Sequence, residues 1–104
     1  MAIETVGFNV ADLDEVIHGK IRLGIMVCLA REEAADFTEL KVAMQTTQGN
    51  LSIHLRKLED AGYISIDKSF MNRRPLTRVR ITKAGRKGLA NYLAAMAKLV
   101  NGER

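Results

Sequence analysis

Ten lysine or arginine residues lie between positions 56 and 87, a stretch that contains only three acidic residues. The first 44 residues have the opposite balance, with eight acidic residues against four basic ones. Cations gathered on one part of a chain attract a polyanion, because each cation placed against a phosphate releases a condensed counterion. The same charges also fit a solvated surface that binds nothing. The charge bias therefore fits a nucleic-acid partner, and the neighbouring sequence must decide between this explanation and a solvated surface.

A helix with a polar outer side begins just before this basic stretch. An apolar stripe at Leu51, Leu55 and Leu58 predicts a helix over residues 47–61, with Gly62 as its left-handed stop. At about 100° per residue, most other directions around this helix carry small polar or basic side chains. We expect contacts with base edges or phosphates from these residues: Thr47, Gln48, Asn50, Ser52, Ile53, Arg56 and Lys57.

Three members of this set have an alternative explanation. Thr47 is equally well placed to cap the N-terminus of the helix, and Lys57 to complement the dipole near its C-terminus. Ile53 fits either contact with a thymine methyl group or partial packing against the domain. The sequence leaves these three roles open.

A change of period from 3.6 to two predicts a β-hairpin over residues 63–82. Ile64 and Ile66 alternate with polar residues before the loop, and Val79 and Ile81 do so after it. The loop contains two adjacent arginines and the only proline, so the hairpin has a basic tip. From this hairpin we expect phosphate or minor-groove contacts by Lys68, Arg73, Arg74 and Arg78.

The first and last predicted helices each have a wide apolar face. The first is expected to start at Asp12 or Asp14, and the last covers residues 83–101 after a cap at Thr82. We expect these faces to pack against their twofold copies in a homodimer. The alternative is that both faces close on the core of one protomer. The residues expected at the dimer interface are Leu13, Ile17, Leu89, Tyr92, Leu93, Met96, Leu99 and Val100.

Length and composition describe one globular domain. A chain of 104 residues, 47% apolar and 27% charged, supports one modest core. Residues 1–11 show no clear period and are interpreted as an N-terminal arm before a domain at 12–104. A brief helix over 39–44, capped by Thr38, is expected between the first helix and the polar one. The predicted fold is mainly α with a small antiparallel β-hairpin.

The sequence gives little support for a membrane protein, a secreted protein, a metal-binding protein or an enzyme. No apolar run reaches the roughly 18 residues that span a bilayer, and the N-terminus does not resemble a secretion signal. A single cysteine, Cys28, cannot form an internal disulfide, so the expected location is the cytoplasm. His18 and His54 fall in different helices without metal-ligand spacing, and no catalytic motif is present. We therefore expect no catalysis, no metal and no cofactor.

The order of elements is the layout of a winged helix-turn-helix domain, in which one helix can enter a major groove while a hairpin reaches the adjacent backbone. The segment Leu-Ser-Ile-His-Leu-Arg-Lys-Leu-Glu-Asp-Ala-Gly-Tyr-Ile at 51–64 resembles the recognition helix and first wing strand of MarR- and ArsR-type regulators. Segment 13–25 resembles the opening helix of that group, and segments 68–78 and 81–86 resemble the wing and last-helix start of its short, single-domain MarR-like branch.

The resemblance implies a dimeric transcriptional regulator that contacts double-stranded DNA through its third helix and wing. Two recognition helices would then meet successive major grooves about 34 Å apart on an inverted-repeat operator. ArsR metal sensors carry a cysteine pair, whereas this chain has Cys28 alone, and no small-molecule effector follows from the resemblance.

Two other functions compete with DNA binding. A winged-helix module that docks in a larger protein assembly needs no DNA readout, but the cores of such interfaces are usually depleted in charge. Structured RNA also fits a basic surface, although the A-form major groove is too narrow for a helix to read. Sequence-selective binding of duplex DNA is therefore the leading hypothesis, with the interaction module as its alternative.

Overall fold

The computed structural model describes residues 9–101, so residues 1–8 of the predicted N-terminal arm lie outside the described residues. A short 3-10 helix at Val10–Asp12 comes first. The remaining elements, in chain order, are α1 (Lys20–Glu32), β1 (Ala34–Asp36), α2 (Phe37–Ala43), α3 (Gln48–Asp60), β2 (Ile64–Met71), β3 (Arg74–Ile81) and α4 (Lys83–Asn101). This is the mainly helical fold with a β-hairpin that the sequence predicts.

Both ends of α3 follow from local residues, as predicted. The side-chain oxygen of Thr47 accepts a 3.2 Å hydrogen bond from the backbone N–H of Asn50, which satisfies a donor that the first helical turn leaves free. Gly62 adopts φ +80° after the last turn, a left-handed conformation that glycine tolerates without steric cost. Leu51, Leu55 and Leu58, all at most 2% exposed, fix the rotation of α3 about its axis.

A third strand joins the predicted hairpin. The sheet order is β1-β3-β2, and both pairs of neighbours are antiparallel. Strand β1 has only three residues, and its central Ala35 is buried opposite Val79. So short a segment shows no period of its own. It forms a strand because it pairs with β3, which lies more than 40 positions later in the chain.

The predicted start of the first helix is wrong. Asp14 does not cap that helix; its carboxylate accepts hydrogen bonds from the backbone N–H groups of Val16 at 2.8 Å and Ile17 at 3.2 Å. These bonds close a separate turn, and α1 begins only at Lys20. Gly19 separates the two with φ +154°, a backbone conformation that side-chain-bearing residues rarely adopt.

Helix α2 also begins earlier than predicted. Its N-cap is Asp36 and not Thr38. The Asp36 carboxylate accepts from the backbone N–H of Glu39 at 2.8 Å, and the Glu39 carboxylate accepts from that of Asp36 at 2.9 Å. This reciprocal capping box satisfies two backbone donors at once, whereas Thr38 alone would satisfy one.

The core lies between the helices and the inner face of the sheet, and its buried side chains are all apolar or aromatic within residues 9–101. Members come from the N-terminal turn, from all four α-helices and from all three strands, so these elements close on one core. The buried residues are Ile17, Ile25, Met26, Leu29, Ala35, Leu40, Leu51, Leu55, Leu58, Ile64, Val79, Leu89 and Tyr92.

Candidate nucleic-acid interface

A groove of about 790 Å³ separates α3 from the hairpin. Gln48, Ser52 and Arg56 line it from α3, and Lys68 and Thr77 line it from the sheet. Lys68 and Thr77 are cross-strand partners, so their side chains share the sheet face that also carries the core residues. The groove thus brings together polar and basic residues that are distant in the sequence.

Asn50 and Lys57 lie on the other flank of α3. They are seven residues apart, which places them nearly one above the other on a helix of 3.6 residues per turn. Lys57 borders a second depression with Glu15, Arg22 and Asp60, away from the hairpin. The predicted contact set on α3 therefore splits into a flank next to the wing and a flank next to the N-terminal turn.

The predicted contact residues of α3 are all open to solvent. Thr47 is exposed, and its hydroxyl oxygen also serves as the N-cap. The residue therefore caps the helix and faces solvent at the same time. Ile53 is 57% exposed at the rim of the groove, which leaves its side chain largely uncovered by the domain. The remaining exposed members are Gln48, Asn50, Ser52, Arg56 and Lys57.

The hairpin presents Arg73 and Arg74 at its tip. The turn is built by Asn72 at φ +51° and Arg73 at φ +66°, the paired positive values that a two-residue type I′ turn requires. Both arginines and Lys68 are exposed. Within residues 68–78 the sequence contains no acidic residue, so this end of the hairpin carries positive charge only.

Arg78 is not brought to this site. It follows Thr77 along β3 and so points to the opposite face of the sheet. In register it is paired with Asp67 of β2 on one side and with Asp36 of β1 on the other. Carboxylates on both neighbouring strands share this face with Arg78, which makes it a poorer phosphate anchor than Lys68.

Arg22 is a further residue beside α3 that the sequence alone does not single out. Its guanidinium lies 2.9 Å from Nδ1 of His54 and also donates to the carbonyl oxygens of Val16 and His18. Burial, then the positive charges of Arg22 and Lys57, lowers the pKa of His54. Arg22 thereby connects α1 and the N-terminal turn to the middle of α3. No spacing in the sequence signals a contact between residues 32 positions apart.

Two further side-chain bonds hold the N-terminal turn. Nδ1 of His18 lies 2.7 Å from the hydroxyl of Tyr92 on α4. The hydroxyl of Tyr63, just before β2, donates to the carboxylate of Asp14, and this bond, with burial second, raises the pKa of Tyr63. The turn is therefore bonded both to α4 and to the base of the wing.

The residues predicted at the dimer interface divide into three groups by their exposure in the single chain. Ile17, Leu89 and Tyr92 are at most 6% exposed in the single chain, so they already belong to its core. Leu13, Met96 and Leu99 are half-buried. Leu93 and Val100 are 47% and 70% exposed, and their separation of seven residues places them on one stripe of α4. That stripe is apolar and uncovered in the single chain.

Cys28, the only cysteine of the sequence, lies on α1. Cys28 is half-buried, and burial, followed by Glu32 and Glu39, raises the pKa of its thiol, the opposite of what activates a cysteine. No cluster of three metal-ligating side chains occurs within residues 9–101. In that same range, no helix combines the length and apolarity needed to cross a membrane.

Known proteins that resemble this chain identify its family. A family model described as a winged helix DNA-binding domain matches residues 21–100. An uncharacterized protein of Methanocaldococcus jannaschii is 33% identical over 85 residues, which are 82% of this chain and 92% of that protein.

Two solved structures extend the comparison. A transcriptional regulator homologue from Pyrococcus horikoshii OT3 has a TM-score of 0.80 at 30% identity, with 86% of this chain and 88% of that chain covered. A MarR-family transcriptional regulator from Silicibacter pomeroyi shares the fold, with a TM-score of 0.58 at 19% identity over 90% of this chain and 68% of that one. The chain therefore belongs to the winged helix DNA-binding domain family.

Proposed function

We propose that the protein is a homodimer that binds duplex DNA sequence-selectively, with α3 in the major groove and the hairpin on the backbone or in the minor groove. The observation that carries this proposal is the groove between α3 and the wing, where Gln48 and Ser52 face the same opening as Arg56 and Lys68. Amide and hydroxyl groups can read base edges, and cations can hold phosphates, from one docking position.

The two flanks of α3 have different roles in this proposal. On the flank next to the wing, Gln48 and Ser52 approach the bases while Arg56 and Lys68 hold the backbone. On the other flank, Asn50 is exposed one turn from His54, whose position Arg22 fixes. A helix that enters a major groove about 12 Å wide exposes both flanks to base edges, so both contribute to selectivity.

The dimer is supported by the apolar stripe on α4. Leu93 and Val100 continue the heptad spacing of Leu89 and Met96, which pack on the protomer core. Covering Leu93 and Val100 with a twofold copy removes this apolar surface from water and places two copies of α3 on one face of the assembly. An inverted-repeat operator matches that symmetry.

Selection of bound fragments from random duplex DNA, followed by footprinting, tests the proposal. We expect an inverted repeat whose half-sites are about one helical turn apart, protected in two successive major grooves. Retention of no duplex at about 50 mM salt, together with recovery of one stoichiometric protein partner, would instead support an interaction module.

A further inference from the structure

The tip of the wing carries apolar side chains that the fold leaves in solvent. Phe70 is 76% exposed, the highest value for any large apolar side chain within residues 9–101, and Met71 is 59% exposed. Both directly precede the turn that carries Arg73 and lie next to Arg74. A large aromatic ring left uncovered among cations indicates a contact surface, because its hydration is unfavourable and no core position requires it.

The strand register aims Phe70 at the side of the wing that faces α3. Phe70 follows Lys68 by two residues on β2, so both side chains lie on the groove face of the hairpin. Its cross-strand partner is Pro75, whose ring is rigid and apolar. Met71 points the other way and is paired with Arg74. Phe70 and Pro75 thus form an apolar edge at the outer end of the basic groove.

The spacing along β2 matches the dimensions of duplex DNA. Two residues advance a strand by about 7 Å, so Phe70 extends that far beyond Lys68. The phosphates form the rim of a minor groove about 6 Å wide. With Lys68 at a phosphate on this rim, Phe70 reaches past the backbone to the edges of the base pairs.

The positive charge of the wing favours DNA over a second copy of the wing as the partner that covers Phe70. The wing tip carries Lys68, Arg73 and Arg74, and residues 68–78 contain no acidic residue, so two wings in contact through their tips would bring like charges together. A minor groove offers phosphates for the cations and a stack of apolar base faces for the ring. Proteins that bind there frequently insert an apolar wedge between two base pairs.

We propose that Phe70, supported by Pro75, is a wedge that partly unstacks one base step in the minor groove while Arg73 and Arg74 hold the flanking phosphates. Pyrimidine–purine steps unstack most easily, so the wedge gives the protein a preference at a position that no hydrogen bond reads. This inference depends on the proposed DNA binding and adds to it a specificity-determining residue of the wing.

The test uses the full chain and duplexes that the wild-type protein selects from a random pool. Variants Phe70→Ala and Phe70→Leu are compared with Val10→Ala, which truncates another strongly exposed apolar side chain, on the N-terminal 3-10 helix. The fluorescent base 2-aminopurine, placed at successive steps, reports unstacking in complexes saturated with protein.

We expect the wild-type protein to raise the fluorescence at one step beyond each half-site and to enrich pyrimidine–purine sequences there. Phe70→Ala should lose both effects and about tenfold in affinity while keeping the half-site preference. Phe70→Leu should keep part of the fluorescence rise, and Val10→Ala should match the wild type.

Four results would overturn the wedge, and they separate its failure from that of DNA binding. A saturated wild-type complex without unstacking, or a Phe70→Ala protein with unchanged fluorescence and step preference, overturns the wedge alone. If Phe70→Ala lowers the molecular mass of the DNA-free protein in solution and leaves unstacking unchanged, the ring takes part in self-association instead. Failure of the wild-type protein to retain any duplex overturns the proposed function and the wedge together.

Discussion

Arg22 and His54 are joined by a 2.9 Å contact between the guanidinium and imidazole Nδ1, and this contact connects α1 to α3. Arginine has only donors, so Nδ1 must accept and the proton of the neutral ring must sit on Nε2. We propose that α3 binds DNA. Its hydrogen bond to Arg22 of α1 therefore exists only while His54 is uncharged.

Acidification should weaken the fold through His54. Burial, Arg22 and Lys57 lower the pKa of His54 below its usual 6.5, so the folded protein binds this proton less readily than the unfolded chain. Its stabilising contribution is complete above pH 6.5 and is lost as the pH falls through the lowered pKa. We expect the free energy of unfolding in urea to decrease between about pH 7.5 and pH 5 for this reason.

The matched variant is His54→Gln, whose amide oxygen accepts from Arg22 but does not titrate. His18 is present in both proteins, so the comparison isolates the effect of His54. The variant should lose less stability on acidification than the wild type does. An equal loss in the two proteins would show that His54 does not respond to pH in this way.

Gly85 permits the close approach of α4 to the base of the wing. A Cβ atom at this position would lie 2.1 Å from the carbonyl oxygen of Tyr63, a backbone atom whose position is fixed by its hydrogen bond from Thr82. Gly85→Ala should reduce the free energy of unfolding by about 2 to 3 kcal/mol, measured by urea denaturation.

Gly49 provides the control for this substitution. It lies within α3, and a Cβ there meets no atom within 4 Å. Gly49→Ala should raise the free energy of unfolding by up to about 1 kcal/mol, since alanine loses less conformational entropy in a helix. Equal destabilisation by both substitutions would contradict the close packing at Gly85.

Gln48 and Asn50 should determine which sequence is preferred. Each is exposed on a different flank of α3, so Gln48→Ala and Asn50→Ala should relax the selected sequence at different base pairs of the half-site. Loss of a bidentate contact to a base costs about 1 to 3 kcal/mol of discrimination. Selection from random duplexes with each variant measures this. Unchanged preferences in both variants would remove α3 from base recognition.

The stripe on α4 should hold the dimer. Replacing both Leu93 and Val100 with glutamate places charge on the surface that we propose to be shared, and sedimentation should then show monomers at micromolar concentration. Affinity for a two-half-site operator should fall by about 10² or more, because the second half-site no longer binds intramolecularly. Ala94→Glu, on another side of α4, should remain dimeric. A wild-type monomer would contradict the proposed assembly.

Helix α3 and the hairpin could be predicted from the sequence because their signals are local. Thr47, the leucine stripe and Gly62 define the helix within one residue at each end, and the alternation around Ile64 and Val79 defines the strands. These are the elements whose residues form the groove.

What could not be predicted depends on contacts between distant residues. Strand β1 exists because Ala35 pairs with Val79, and the late start of α1 reflects a glycine conformation together with the bonds of Asp14. The placement of Arg78 on the back of the sheet depends on the register of three strands. Periodicity alone identifies the outward side chains of α3 but does not say which flank faces the wing.

The salt dependence of binding tests most directly whether α3 and the wing hold duplex DNA together. In the proposed dimer, we expect eight phosphate contacts from four exposed cations per protomer, Arg56, Lys68, Arg73 and Arg74, and a slope of log K against log salt of about −7. Affinity for the selected operator should thus fall about 10⁴-fold between 50 and 200 mM salt, and Arg73→Ala/Arg74→Ala should halve the slope to about −3.6. A slope near zero, or one that the double variant leaves unchanged, would contradict the account.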